Sequence, residues 1–347
     1  MNLLAGDLGG TKTLLAVYKW EKRPKKVFQK KYNSKEWESF ESIIKDFMNS
    51  IPNELDWPVF GCIGVAGIIS DNCIRITNLN WKINLDQIRQ ISNLKELEVI
   101  NDFSSLIHGV NHLNEDQFLR IQQNTNQIKG NQEGVIAIIG AGTGLGMARG
   151  LRTKDSIEVL PSEGGHKEFA PSSQEEWELA QWLKKDLRID RLSLERVVSG
   201  TGLGHIVRWR LLQSDAKLHP LRDLAEKTKS STSEEINFAA EASKRAGEGD
   251  MILEEALRIW IKAYGSASGD FALHELCTQG LWIAGGPAAK NINLINSKVF
   301  LNAFCNKGRF TSFLKKIPIS VIKDETIGLF STACRAHHNA ESNGTIN

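Results

Sequence analysis

Gly6-Asp-Leu-Gly-Gly-Thr-Lys12 sets one carboxylate among small residues. Glycines free backbone N–H groups around a tight turn, such a turn can wrap a phosphate, and the Thr11 hydroxyl adds a donor. The turn joins two strand-like runs and the spacing G-x-x-x-x-G-K-[ST] is absent, so neither the P-loop nor the dinucleotide fingerprint applies. A glycine-rich hairpin can also be purely structural. Asp7 carries more information, because a carboxylate beside a phosphate turn is repulsive unless a cation such as Mg²⁺ lies between them. The pattern points to a metal–nucleotide site. Gly140-Ala-Gly-Thr-Gly-Leu-Gly146 is a second turn of the same kind, and two such turns suggest a two-sided phosphate clamp. The string Gly-Thr-Gly-Leu-Gly recurs at 200–204, ahead of a helix expected over Leu203–Leu212; there a flexible helix entry and a ligand contact fit equally well.

Asn101-Asp102 follows a short apolar run and precedes a helical start at Phe103. An Asp at that place is commonly a helix cap. A kinase acting on a hydroxyl also needs an ionised carboxylate within hydrogen-bond reach, and a strand end is rigid enough to hold one. Asn101 could hold a sugar hydroxyl beside it. Pro161-Ser-Glu-Gly-Gly-His166 places an acid and a histidine on either side of two glycines, so both can face one small polyol. A closed zinc site needs about four ligands and no cysteine is close by in the chain. Glu195 is locally indistinguishable from an exposed helix acid with Arg196 as its neighbour.

The elements that must position these groups are read from periodicity. Leu3–Gly6, Leu14–Lys19 and Val27–Tyr32 read as an antiparallel strand series. Six cations, Lys22, Arg23, Lys25, Lys26, Lys30 and Lys31, fall around its second turn without interleaved aromatics and read as a solvated hairpin tip. Trp37–Met48 has helical spacing, Val59–Val65, Cys73–Thr77 and Leu97–Ile100 read as strands, and Asn101-Asp102 sits at a strand's carboxyl end, where open α/β sheets bind ligands. The polar stretch Asn111–Gly134 reads as a crossing between domains or a long surface connection. After it the opening pattern repeats, with a strand at Val135–Ile139, a glycine turn and a second apolar stretch at Met147–Leu151, which suggests two related halves facing one ligand. The second half is mainly helical, at Glu175–Leu187, Gly202–Gln213, Ser233–Gly247 and Asp250–Cys277, with Ser230–Ser233 as a capping signature. A strand at Leu281–Ala284 ends in Gly285-Gly286, another strand occupies Ile317–Ile322, and Gly328–His337 is a closing helix before a frayed tail.

At 347 residues the chain is long enough for about two domains without disulfide or metal staples. Lys plus Arg is 43 and Asp plus Glu is 41, a formal charge of +2, which gives no electrostatic case for nucleic acid or an anionic membrane. The apolar runs are far shorter than the about 20 residues of a membrane helix. The first residues lack the basic and apolar regions of a signal peptide, so a cytoplasmic location is expected. Cys62, Cys73, Cys277, Cys305 and Cys334 have no C-x-x-C pair and are expected to be reduced thiols, mostly buried.

Together the strings GDLGGTK at 6–12, ITNLNW at 76–81, VINDF at 99–103, GAGTGLG at 140–146, LPSEGGHKEFAP at 160–171 and ERVVSG at 195–200, with IAGG at 283–286 and NKGRF at 306–310, carry a resemblance. From Leu3 to about Arg335 the chain resembles bacterial glucokinases of the non-ROK type, a branch of the actin, Hsp70 and hexokinase-like ATPase superfamily. The resemblance implies a two-domain actin-like ATPase (ribonuclease H-like) α/β fold flanking a cleft. It places a smaller α/β domain at 1–112, completed by a C-terminal helix at about 323–340, a larger one at 113–322 and a tail at 341–347. It implies transfer of the γ-phosphoryl group of ATP to the 6-hydroxyl of glucose, with Asp102 as general base and Asn101, Glu163, His166 and Glu195 on the other hydroxyls. Gly6, Asp7, Leu8, Gly9, Gly10 and Thr11 would form one phosphate turn, and Gly140, Gly142, Thr143 and Gly144 the other. Gly285 and Gly286 would lie at the adenosine side, and Asp7 would act on Mg²⁺ through water. Closing the two domains on the sugar would complete the site and keep water out. A homodimer is also implied. Lys12 stands where many relatives carry Asn, and would either strengthen nucleotide binding or point outward. ROK kinases share the glycine turns but carry a zinc-binding cysteine cluster that is missing here. The rival readings are a hexose kinase for another sugar or donor, such as mannose, an amino sugar or polyphosphate, and a non-catalytic sugar sensor. A sensor predicts a lost base or an added helix-turn-helix, and neither is seen.

Overall fold

In the computed structural model the described residues are 1–70, 73–76, 79, 81–123, 133–154, 156–228, 237–324 and 326–342. The elements run β1 (Asn2–Leu8), β2 (Lys12–Trp20), β3 (Pro24–Asn33), α1 (Phe40–Asn49), β4 (Phe60–Val65), β5 (Gly67–Ser70), β6 (Cys73–Ile76), β7 (Lys82–Asn84), α2 (Leu85–Ser92), β8 (Glu96–Asn101) and α3 (Asp102–Val110). After them come β9 (Phe118–Gln122), β10 (Gly134–Ala141), β11 (Leu145–Arg152), β12 (Ile157–Ser162), α4 (Gln174–Leu187), α5 (Gly200–Leu211), α6 (Arg222–Lys227), α7 (Phe238–Ala246) and α8 (Met251–Glu275). The chain closes with β13 (Gly280–Ala284), α9 (Gly286–Lys290), α10 (Ile292–Ile295), α11 (Lys298–Cys305), α12 (Thr311–Leu314), β14 (Ile319–Ile322) and α13 (Ile327–Ser342). It forms two compact units: residues 1–117, 159–161 and 324–347, and residues 118–158 and 162–323.

The first unit is built on the sheet order β3-β2-β1-β4-β8, in which β1, β2 and β3 are antiparallel while β4 and β8 run parallel to β1. In the second unit β11 and β10 are antiparallel, β13 and β14 run parallel to β10, and β12 and β9 take the two edges. The same wiring, a hairpin across a glycine turn and then parallel strands, therefore occurs twice. β5, β6 and β7 form a separate three-stranded sheet.

Each amphipathic stretch finds its apolar partner. α1 buries Phe40, Ile43, Ile44, Phe47 and Met48 against one face of the first sheet. It starts at Phe40 rather than Trp37 because the Ser39 hydroxyl accepts the Ser42 N–H at 3.2 Å, while Trp37 turns edge-on to Tyr32. α13 covers the other face with Ala336 and Ala340, near Leu3, Phe60 and Cys62. There Arg335 grips both Glu98 carboxylate oxygens at 2.7 and 2.9 Å and Asn339 adds a donor at 2.7 Å. Burial pushes the Glu98 carboxyl up, but these bonds outweigh it and hold it below its ordinary value. The pair fixes β8, the strand that ends in Asn101. In the second unit the single helix α8 spans the whole expected segment, is capped by Asp250 and carries Trp260 and Tyr264 in the core. Among the described residues no helix is long and apolar enough to cross a membrane.

Several expectations are corrected. The polar stretch 111–134 contains β9, whose Phe118, Leu119, Arg120 and Gln122 pair with β14 from far along the chain, a register that local polarity conceals. α5 begins at Gly200, not Gly202 or Leu203, because Ser199 caps it. α13 runs on to Ser342, beyond His337. β7, α2, β12 and α11 have no counterpart in the periodicity; each is short or lacks a clear apolar period. Ser230–Ser233, part of the 76–81 string and the last five residues lie outside the described residues. Cys62, Cys277, Cys305 and Cys334 are buried free thiols.

The basic segment acquires a structural reason. β3 is the edge of its sheet, and Lys25, Lys26 and Lys31 along it are exposed. Lysines on an open edge prevent a second chain from adding a strand, because their charges would be forced against it. Lys30 is held by Asp46 at 2.7 Å and Ser50 at 2.8 Å. Replacing Lys25, Lys26 and Lys31 together by Thr is expected to give concentration-dependent self-association in size-exclusion chromatography. Profiles identical to the parent's at every concentration would show that the lysines play no such part.

Candidate active site

In the first unit the polar groups collect at the carboxyl ends of the parallel strands. Asp7 and Leu8 are the last residues of β1, and Asn101 is the last of β8, with Gly64 and Val65 of β4 between them in register. Gly6 and Leu8 are strand positions with their backbones inside the sheet, and the Leu8 side chain is in the core. The turn proper is Gly9–Thr11. It is tied at two carbonyls: Ser34 donates its hydroxyl to the Gly9 carbonyl at 2.8 Å and its N–H to the Thr11 carbonyl at 3.0 Å. Ser34 is fully buried and also bonds Thr13.

Asp7 is not an exposed turn residue. Burial raises its carboxyl to about 6, the negative charge of Asp102 adds to the rise, and Lys12 opposes it. On its other side Gly328 of α13 leaves room: a Cβ there would come within 3.1 Å of Asp7 Oδ2. The helix cap of α3 is Asn101, whose Oδ1 accepts the Ser104 N–H at 3.0 Å. Asp102 is the first helical residue. Its Oδ1 accepts the Phe103 N–H at 2.9 Å.

In the second unit, the turn Gly142–Gly144 joins β10 to β11 and is closed by the Gly142 N–H on the Gly144 carbonyl at 2.8 Å. The repeated string at 200–204 is neither a flexible entry nor left without a role. The Gly200 N–H donates to the Gly142 carbonyl at 2.8 Å, and the Thr201 hydroxyl donates to the Thr143 carbonyl at 2.8 Å. Glu195, whose local sequence could not distinguish it from an exposed helix acid, lies in a short 3₁₀ turn and accepts the Leu145 N–H through Oε2 at 3.0 Å.

Glu163 and His166 bracket another 3₁₀ turn. Their side chains are exposed, with His166 Nε2 3.7 Å from Glu163 Oε2. Gly165 between them presses on β11, where a Cβ would collide with the Leu145 carbonyl. The segment 166–169 runs beside 191–194: the Leu194 N–H bonds the Lys167 carbonyl at 2.7 Å, the Phe169 N–H bonds the Leu192 carbonyl at 2.9 Å, and Arg191 donates to the His166 carbonyl. One backbone ladder thus carries both His166 and Glu195. Gly285, with φ +97°, precedes α9, and a Cβ there would strike the Ala141 carbonyl. Gly140 and Gly286 flank these contacts. Sequence reading missed Ser34, Arg191 and Gly328, whose partners are remote in the chain, and singled out the string that holds Thr201 without its partner Thr143.

Among the described residues no group of three or more His, Cys, Asp or Glu is arranged to hold a metal ion. Asp7 near the charge of Asp102 suits a hard divalent cation that takes its remaining ligands from phosphate oxygens and water.

A family model described as Glucokinase matches residues 4–339. A glucokinase of Synechocystis sp. is 33% identical over 96% of this chain and 97% of its own length. The crystal structure of a glucokinase from an Antarctic psychrotroph superposes with a TM-score of 0.79 at 27% identity, covering 97% of this chain and 99% of that one. A glucokinase from Balamuthia mandrillaris in complex with glucose shares the fold with a TM-score of 0.78 at 18% identity, over 97% and 93% of the two chains.

The buried carboxylate gives a pH test. Below about pH 4 the Asp7 carboxyl is neutral in the folded and unfolded chain alike and costs nothing. Between about 4 and 6 the unfolded chain releases its proton while the folded chain keeps it, so stability falls as pH rises, and above about 6 the full cost remains. Asp7→Asn in metal-free buffer is therefore expected to gain up to about 3 kcal/mol near pH 8 and nothing near pH 3.5, read as melting temperature. An equal gain at both values would contradict the burial argument.

Proposed function

The chain belongs to the glucokinase family, and on that premise we propose that it transfers the γ-phosphoryl group of ATP to the 6-hydroxyl of glucose with Asp102 as the base. The observation that carries the assignment is the division of labour at the end of β8. Asn101 caps α3 by accepting the Ser104 N–H, and the Phe103 N–H holds Asp102 Oδ1, so the Asp102 carboxylate stands at a rigid strand-to-helix junction. A carboxylate fixed there can accept the 6-hydroxyl proton as the oxygen attacks phosphorus. Asn101 uses Oδ1 for the cap, leaving its amide N–H groups to donate to a sugar hydroxyl.

Glu163, His166 and Glu195 are assigned to the remaining hydroxyls. One backbone ladder carries His166 and Glu195, and Glu163 opens the adjoining turn, so the backbone that presents these groups need not reorganise on binding. The turns at Gly9–Thr11 and Gly140–Gly144 are assigned to the phosphates, and Gly285 and Gly286 to the adenosine side. Asp7 would hold Mg²⁺ through water. The cation supplies neutralisation of phosphate charge, which dominates the barrier to phosphoryl transfer together with positioning. Water has to be excluded for the same reason that Asp102 works, since it is as good an acceptor as the 6-hydroxyl.

The test is formation of sugar 6-phosphate with Mg-ATP across glucose, mannose, fructose and N-acetylglucosamine. Glucose is expected to be preferred. Asp102→Ala should lower turnover by several orders of magnitude while sugar binding stays within about tenfold. Equal loss of both would make Asp102 structural. Glu163→Gln should raise chiefly the KM for sugar; a change confined to ATP would move Glu163 out of the sugar site.

A further inference from the structure

We propose that two side-chain hydroxyls, Ser34 in the first unit and Thr201 in the second, are positioning residues that set the direction of the phosphate-turn peptides. The proposal rests on the assignment of those turns to nucleotide phosphates. Each hydroxyl lies on an element remote in sequence from its turn and donates to a turn carbonyl at 2.8 Å, Ser34 to Gly9 and Thr201 to Thr143. In both places a backbone N–H seizes a second carbonyl: Ser34 N–H that of Thr11 at 3.0 Å, Gly200 N–H that of Gly142 at 2.8 Å.

Peptide planarity turns these bonds into a directional effect. In a trans peptide the C=O and the N–H of the next residue point in opposite directions, and the described chain has no cis bond. A Gly9 carbonyl drawn to Ser34 turns the Gly10 N–H away from Ser34. A Thr143 carbonyl drawn to Thr201 turns the Gly144 N–H away from α5, and the Gly142 carbonyl on Gly200 does the same for the Thr143 N–H. Successive N–H groups facing one way make an anion-binding concavity. Glycine peptides flip easily, since both φ signs are open to them, so without an anchor such a turn spends part of its time with carbonyl oxygens facing the phosphate. Neither hydroxyl has to touch the nucleotide. Each acts by removing the wrong peptide orientation.

Thr201→Val keeps the shape and removes the donor, and Thr201→Ser restores it. Binding of magnesium AMPPNP and, separately, of glucose is measured by calorimetry for the parent, both Thr201 variants and Ser34→Ala. Thr201→Val is expected to weaken AMPPNP about tenfold, one hydrogen bond's worth, and to leave glucose unchanged. Thr201→Ser should return to within about twofold of the parent, and Ser34→Ala should weaken AMPPNP as Thr201→Val does. Thr201 is at the surface, so it decides the matter if the buried Ser34 variant fails to fold. Unchanged AMPPNP binding in Thr201→Val, equal weakening of glucose and AMPPNP, or no recovery in Thr201→Ser would each overturn the proposal. A parent that binds glucose but no AMPPNP would instead remove the nucleotide assignment itself, and the proposal with it.

Discussion

The Ala141–Leu145 backbone is approached more closely than any side-chain carbon would allow, by Gly165 at the Leu145 carbonyl and by Gly285 at the Ala141 carbonyl. The candidate groups of the second unit gather around that contact. Gly165 seats the turn bearing Glu163 and His166 on β11. Gly285 brings the start of α9 against β10. Glu195 completes the arrangement by accepting the Leu145 N–H. The Glu195 carboxylate thereby ties the 191–195 segment to the end of the Gly142–Gly144 turn through one hydrogen bond.

The first unit solves a different problem. It keeps Asp7 and Asp102 near one another at the ends of β1 and β8, with the Lys12 charge opposing the rise of the Asp7 carboxyl. Burial and the Asp102 charge raise the Asp7 carboxyl to about 6, a local cost that the well-packed sheet absorbs. A buried carboxylate beside a second acid is unfavourable in the folded chain, a cost of the kind that folds commonly tolerate. Glu98 shows the opposite case on the same sheet. There Arg335 and Asn339 satisfy the carboxylate, which serves only to hold β8 in place.

What the sequence disclosed and what it hid divide along sequence distance. Glycine strings, Asp7 and Asn101-Asp102 were legible because each packs its chemistry into a few consecutive residues. α1 and α8 were legible because apolar period alone marks a buried helix face. β9 was not, since five residues in a polar stretch become a strand only when β14 pairs with them. Asn101 and Asp102 show a finer limit. Local pattern identified a cap at the junction but could not say which of the two residues supplied it, and the function of Asp102 turns on that. Ser34 and Arg191 were silent because a hydroxyl or guanidinium that anchors a distant carbonyl leaves no local signature, and the 200–204 string was noticed without its partner in the Gly142–Gly144 turn. The Glucokinase match over 4–339 and the shared fold fix the class of the molecule; the anchors are visible only in three dimensions.

α13 is the last helix of the chain, yet it belongs to the unit formed by the first residues. A ribosome makes the strands β1, β2, β3, β4 and β8 early. At about 5–20 residues per second it then spends roughly 10–40 s on the second unit before α13 emerges. Throughout that time the sheet face that α13 will cover is open, and Glu98 lacks Arg335. The intervening segment, by contrast, has every strand of its own sheet before the first unit receives its final helix. The nascent molecule is therefore finished in reverse, its beginning being the part that waits. Asp7 meets Gly328 only after the whole second unit has been made, so the surroundings of its carboxylate come into being after that unit.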